Sequence, residues 1–207
     1  MELGVRVAAP AAVANGSTVS ARGDRYGNLV VQQAGGQYRD LVMAGNVHHA
    51  TNTGDVTIGV ALTATGVTFH LFNIASSGKN LVILEVAFAE ATVTVTAGNV
   101  VLGINPTTTQ AVPATTTALT VRNNLVGTGG LTGDSTVAAA YSVATLAVAP
   151  VAAIQMGQVN TAVGVTNALK HETNGLLILI PGTVLSIQGV TVSLVGRGSM
   201  VWEDAPV

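Results

Sequence analysis

Leu81-Val82-Ile83-Leu84-Glu85-Val86-Ala87-Phe88-Ala89-Glu90 decides the fold class. It has no Gly or Pro, and apolar residues recur at every second position. Val82, Leu84, Val86 and Phe88 share one face under the period of two that pleating imposes on a strand. Just upstream, Val67–Ile74 (VTFHLFNI) repeats the pattern, with Val67, Phe69 and Leu71 on one face and His70 on the other. Ser76-Ser77-Gly78-Lys79 separates the two runs with turn residues. Strand, short Gly-containing connection and strand predict an antiparallel hairpin.

The same signature extends downstream. Thr92–Thr96 (TVTVT) alternates strictly, and Gly98-Asn99 is expected to turn the chain into a strand over Val100–Ile104. Residues 107–117, rich in Thr, Pro and Ala, predict a loop, followed by a strand over 119–126 and a flexible Gly-rich loop over 127–134. Val137–Ala149 is Ala-rich and predicts one short helix, stopped by Pro150. Gly175–Ile180 (GLLILI) is continuously apolar, as expected of a strand buried on both faces. Pro181-Gly182 suits a type II turn, after which Val184–Gln188 and Val190–Trp202 close the pattern. Many short strands with little helix indicate an all-β, antiparallel sandwich of jelly-roll type.

Residues 1–45 differ. Pro10, Asn15-Gly16, Gly23, Gly27 and Gly35-Gly36 break them into short pieces, with one short strand feasible at Leu29–Val31. They read as an extended N-terminal arm, leaving 46–207 as the sandwich domain. Half of the eight basic residues lie in the first 40 positions. Arg22, Arg25, Tyr26, Tyr38 and Arg39 are the candidate partner contacts, because Arg and Tyr are enriched where proteins meet.

Composition narrows the class of function. Charged residues make up 9% of the 207, against about 25% in an ordinary soluble domain. Mean hydropathy is +0.54. Such a chain is expected to lie in a membrane or to be covered by neighbouring subunits. The best membrane candidate, Thr136–Met156, contains Pro150, Tyr141 and Ser142 and has no basic flank, so no membrane span is expected. The N-terminus lacks the pattern of a secretion signal. There is no Cys, hence no disulfide and no thiolate chemistry. A net charge of −2 and 3% aromatic residues speak against nucleic-acid binding.

Catalytic patterns are thin. His48-His49 are adjacent, so in extended chain they face opposite ways and make a poor metal pair. Lys170-His171-Glu172 reads as a solvated loop. Glu85 and Glu90, five apart, fall on opposite faces of their strand and cannot act as a carboxylate pair. Glu85 is expected to pair with Arg122 or Arg197, or to face a symmetry axis. Gly127–Gly133 lacks the Gly-Lys-Ser/Thr ending of a phosphate loop. The expectation is a protein that is not an enzyme and carries no cofactor or metal.

Three patches carry a family resemblance: Arg25-Tyr26-Gly27-Asn28-Leu29-Val30-Val31-Gln32; Leu71-Phe72-Asn73 with Ser77-Gly78-Lys79-Asn80-Leu81-Val82-Ile83; and Ile180-Pro181-Gly182-Thr183-Val184-Leu185-Ser186-Ile187 with Val201-Trp202-Glu203. They resemble bacteriophage virion proteins of the capsid decoration, cement or fibre type, whose corresponding segments belong to a jelly roll. Residues 105–165 lie outside the resemblance. It implies a capsid decoration or cement subunit on the head exterior, made in the host cytoplasm. The arm would dock on the major capsid protein, and the body would form a homo-oligomer, a trimer by preference. A receptor-facing fibre, tail or spike subunit, or a minor capsid protein, is the alternative. A cellular adhesin-like sandwich and a hydrolase with an unrecognised site are the competing classes.

Overall fold

The computed structural model describes residues 38–59, 61–92, 97–105, 111–125, 135, 137–159 and 167–207. Tyr38–Val207 forms one compact unit. Within it the chain runs through α1 (Arg39–Met43), β1 (Val47–Thr51), β2 (Val56–Ile58), β3 (Thr65–Asn73), β4 (Lys79–Thr92), β5 (Gly98–Ile104) and β6 (Ala114–Leu119). It continues through β7 (Arg122–Asn123), β8 (Ala138–Thr145), β9 (Val151–Val159), β10 (Ala168–Leu179), β11 (Val184–Val190) and β12 (Leu194–Pro206). The protein is thus nearly all β. The one helix among the described residues is a five-residue turn inside the stretch read as an extended arm.

Two antiparallel sheets form the body. The first has the order β10-β4-β12-β1-β7, with β2 also paired to β12; the second has the order β6-β8-β3-β11-β5-β9. The inner faces meet in a core that includes Phe69, Leu71, Ile83, Phe88, Leu102, Ile187 and Trp202, all essentially inaccessible. Burying a side chain of that size is worth about 1.5–3 kcal/mol.

β3 and β4 are both strands, but the expected hairpin between them does not form: they belong to different sheets. The connection around Ser77 carries the chain across the sandwich. Asn73 fixes this corner. Its buried amide donates to the carbonyls of Lys79 (2.9 Å) and Leu179 (2.8 Å) and accepts from the Ser77 hydroxyl (2.7 Å). Its backbone bonds Gly182 and Thr183 in the Pro181-Gly182 turn. That turn is as expected, with Gly182 at φ 80° supplying the left-handed conformation a type II turn requires.

β4 is not a single uninterrupted alternation. Its register shifts against β12 between Glu85 and Ile83, and against β10 at the same place. The extra residue is Leu84. Leu81 and Ile83 face the core on one side of it, and Val86, Phe88 and Glu90 on the other, while Val82 is only half-buried. A bulge flips the phase of the pleat, so the face Val82-Leu84-Val86-Phe88 exists only in part. β10 answers with its own irregularity, where Asn174 (φ 49°) and Gly175 (φ 84°) are left-handed. The hydroxyl of buried Thr173 donates to the Ile83 carbonyl there.

Four further expectations are corrected. Residues 137–149 hold no helix: Ala138–Thr145 is β8, paired with β3 and β6. Its alanines suit helix by propensity, but their small side chains alternate between the core and the surface, and tertiary pairing prevails. Gly98-Asn99 is already strand, opposite Val159 and Gln158. The loop expected over 107–117 contains the start of β6, whose residues are nearly all exposed. Of the strand expected over 119–126, Leu119 ends β6 and Arg122–Asn123 is β7, while Val126 lies outside the described residues. No helix of the described residues is long and apolar enough to cross a membrane; within the candidate span, Ala138–Thr145 is β8 and Val151 opens β9.

Gly196 and Gly198 let β12 approach its neighbours closely. A methyl group at Gly196 would stand 2.3 Å from the Ala89 carbonyl oxygen. At Gly198 it would stand 2.8 Å from both Phe69 and Ile187 of the opposite sheet.

Candidate functional site

Pairing of β1 with β12 places His48 beside Trp202. The two rings stack with centroids 6.3 Å apart. Asp204 lies two residues on, its Oδ1 accepting from the Trp202 indole (3.1 Å) and its Oδ2 from the Ser135 hydroxyl (3.2 Å). His48 Nδ1 is 3.5 Å from the same Oδ2, a contact too long for a strong hydrogen bond. On the other side, Asn123 of β7 stands 3.4 Å from His48 Nε2 and donates to the Gly45 carbonyl (2.6 Å). Burial holds the His48 pKa below the ordinary imidazole value, against the upward pull of Asp204.

Ser, His and Asp together invite comparison with a hydrolase. The geometry differs from what that chemistry needs, which is a nucleophile in hydrogen-bond reach of its base. Here Ser135 and His48 both reach the carboxylate rather than each other. The Ser135 hydroxyl also accepts from the backbone N–H groups of Val137 and Ala138 (both 3.1 Å), which ties it to the start of β8. The cluster satisfies the Trp202 indole and the Ser135 hydroxyl, leaves buried His48 Nδ1 without a hydrogen bond, and ties β12 to Ser135 and so to the start of β8. His49, on the outer side of β1, bonds the Asn124 amide. His70 is fully buried in β3, opposite Ser186. Among the described residues no group of three or more His, Asp or Glu could hold a metal ion.

A second polar group lies on the outer face of the first sheet. Lys170, His171 and Glu172 are not loop but strand β10. Glu172 sits directly opposite Glu85 in register, a like-charge pairing that costs stability by itself. Lys170 resolves it, bonding Glu172 (3.0 Å) and Glu85 (3.1 Å). Those bonds, Glu172 first, raise the lysine pKa. The expected arginine partners of Glu85 are therefore not its ion-pair partners. Arg197 instead pairs with Asp55 at 2.7 Å. Glu90 is on the opposite, buried side of β4, as the spacing of five requires, and accepts from the Asn167 amide.

Beyond the bulge, β10 departs from the sequence reading. Gly175–Ile180 is not buried on both faces. Leu179 is buried, but Leu176, Ile178 and Ile180 are 85%, 55% and 44% exposed. A continuous apolar run is ambiguous between a fully buried strand and an edge strand with an apolar outer face. The row belongs to an edge, since β10 ends its sheet.

Of the candidate contacts, Arg22, Arg25 and Tyr26 lie outside the described residues. Tyr38 precedes α1 and Arg39 begins it. The Tyr38 hydroxyl donates to Asn174 at the β10 bulge (2.6 Å), and Arg39 is exposed. An open hollow of about 320 Å³ between β6 and β8, lined by Leu119, Val121, Ser135 and Ala138–Ala140, carries no titratable group. Comparison of the chain with family models, curated proteins and solved structures finds no match.

Proposed function

We propose that this chain is a structural, non-catalytic subunit of a virus particle, a phage capsid decoration or cement protein with a jelly-roll body. Support for the jelly roll comes from the pairing. β1 pairs β12, β3 pairs β11, β4 pairs β10 and β5 pairs β9. These are the nested partners of one long hairpin, rolled so that alternate pairs fall in opposite sheets, as in that architecture. Strands β6–β8 are an insertion between β5 and β9.

The observation that carries the function is the surface. On the first sheet Glu85, Lys170 and Glu172 meet in one cluster, and Arg197 pairs with Asp55. Edge strand β10 presents Leu176 and Ile178 to solvent, and Ile180 just beyond it is exposed too. A surface so poor in net charge suits a subunit that neighbours cover. The resemblance of the 25–32, 71–83 and 180–187 segments to virion proteins supplies the kind of assembly. The arm docks on the major capsid protein through Arg22, Arg25, Tyr26, Tyr38 and Arg39, and the body assembles as a trimer on the head exterior.

The test is to incubate the labelled protein with empty heads of the phage concerned and, separately, with host cells. Co-sedimentation with heads, at a stoichiometry matching three-fold positions, is expected. Binding to cells without binding to heads would overturn the cement role in favour of a receptor-facing fibre or spike subunit.

A further inference from the structure

We infer that His48 and Asn123 form an acid-operated latch, which holds β7 against β1 while His48 is neutral and releases it when His48 takes up a proton. The device is independent of the assembly reading above.

Asn123 has one orientation. Its side-chain nitrogen donates to the Gly45 carbonyl (2.6 Å), and its side-chain oxygen accepts from the Leu125 N–H (2.8 Å). Turning the amide over would set donor against donor at Leu125 and acceptor against acceptor at Gly45. The nitrogen is therefore the atom that faces His48 Nε2, 3.4 Å away. An amide nitrogen only donates, so Nε2 must accept. This assigns the neutral ring: its proton sits on Nδ1, the nitrogen on the Asp204 side.

A second proton can enter only at Nε2. The imidazolium then meets the Asn123 amide as donor against donor, in a buried position. The charges around the ring decide which side yields. Asp204 of β12, 3.5 Å from Nδ1, favours the charged ring, while Lys79 at the start of β4 and His49 on β1 oppose it. Arg122 of β7 stands opposite His49. Attraction to Asp204 keeps the ring on the β12 side, so the conflict falls on β7. Burial places the proton uptake below the ordinary value of 6.5.

β7 is built to yield. It has two residues, ends its sheet and pairs only with β1 among the described strands. Just beyond it, the Asn124 N–H donates to the Val47 carbonyl (2.9 Å). So short an edge strand opens at little cost. β1 keeps β12 on its other side, so release makes β1 the new edge of the sheet. His49 has no such role. Its Nδ1 faces the Asn124 side-chain oxygen, a bond that persists when the ring is charged.

Nuclear magnetic resonance of the full-length chain tests both halves. Two-bond nitrogen–proton couplings in the His48 ring are expected to show the Nδ1–H form at pH 8. As pH falls through the His48 midpoint, the Asn124 and Leu125 amides are expected to lose hydrogen-exchange protection by about ten-fold or more. Amides of β4 and β12 around Val86 and Met200 are expected to keep theirs. In Asn123→Ala, which removes the facing donor, the His48 midpoint is expected to rise by about half a unit or more. In His48→Gln, protection of Asn124 and Leu125 is expected to be the same above and below that pH. An Nε2–H ring at pH 8 overturns the inference, as does an unmoved midpoint in Asn123→Ala. Simultaneous loss of protection in β4, β12 and β7 also overturns it, since that is global unfolding. So does acid release that persists in His48→Gln, which would assign the effect to another group.

Discussion

Single residues set the corners of this sandwich. Asn73 fills a buried position with donors and an acceptor that all find partners. Asn73→Ala removes the buried bond to the Leu179 carbonyl, at about 1–3 kcal/mol, while the Ser77 hydroxyl and the Lys79 carbonyl keep each other at 3.1 Å. A loss of about 1–3 kcal/mol is expected, read as a lower urea midpoint at unchanged slope. The Leu-Phe-Asn, Ser-Gly-Lys-Asn and Ile-Pro-Gly-Thr segments stand out in the sequence, but their meeting at one side chain does not, because it spans about a hundred residues. His48 makes a prediction of the opposite kind. Its pKa is depressed by burial, so as pH falls the unfolded chain takes up the proton before the folded one. The stability it contributes is complete above 6.5, the ordinary value, and is lost as pH falls from there toward the folded value. Urea unfolding at pH 8 and pH 5.5 is expected to show a smaller difference for His48→Gln than for the parent. Equal differences would mean that His48 does not titrate in this range. The sequence marks the His48-His49 pair, but the partners Asp204, Asn123 and Trp202 come from strands that only the fold brings near.

At the level of elements, alternation identifies strands well and their partners poorly. β3 and β4 are plain in VTFHLFNI and LVILEVAFAE, yet which sheet each joins depends on β11 and β12, more than a hundred residues away. The Leu84 bulge is invisible locally, because LVILEVAFAE is apolar in both phases at its start. β8 was hidden by alanine, whose helix propensity of a few tenths of a kcal/mol per residue is outweighed by strand pairing on both sides. β12 depends on glycine where it crosses the others. Gly196→Ala would drive a methyl group into the Ala89 carbonyl, at a cost of about 1–3 kcal/mol or more. Gly54→Ala, with nothing within 4 Å of the added carbon, is the control and is expected to be near neutral. Thermal unfolding of the two variants side by side measures the difference.

For the whole molecule, the most unusual signal in the composition is its 9% of charged residues, well below the about 25% of an ordinary soluble domain. The all-β character followed from periodicity. The order of strands did not, since nested pairing joins residues as distant as Val47 and Glu203. That nesting bears on how the chain comes into being. β12 is last among the strands, yet it lies between β4 and β1 at the centre of its sheet and also holds β2. During synthesis the first sheet therefore stays split, with β4 and β1 each exposing an inner edge, until the final strand emerges. The nascent chain must keep these edges from other chains through the synthesis of the residues that separate Thr92 of β4 from Leu194 of β12. Any truncation before Leu194 leaves two half-sheets with no strand to join them.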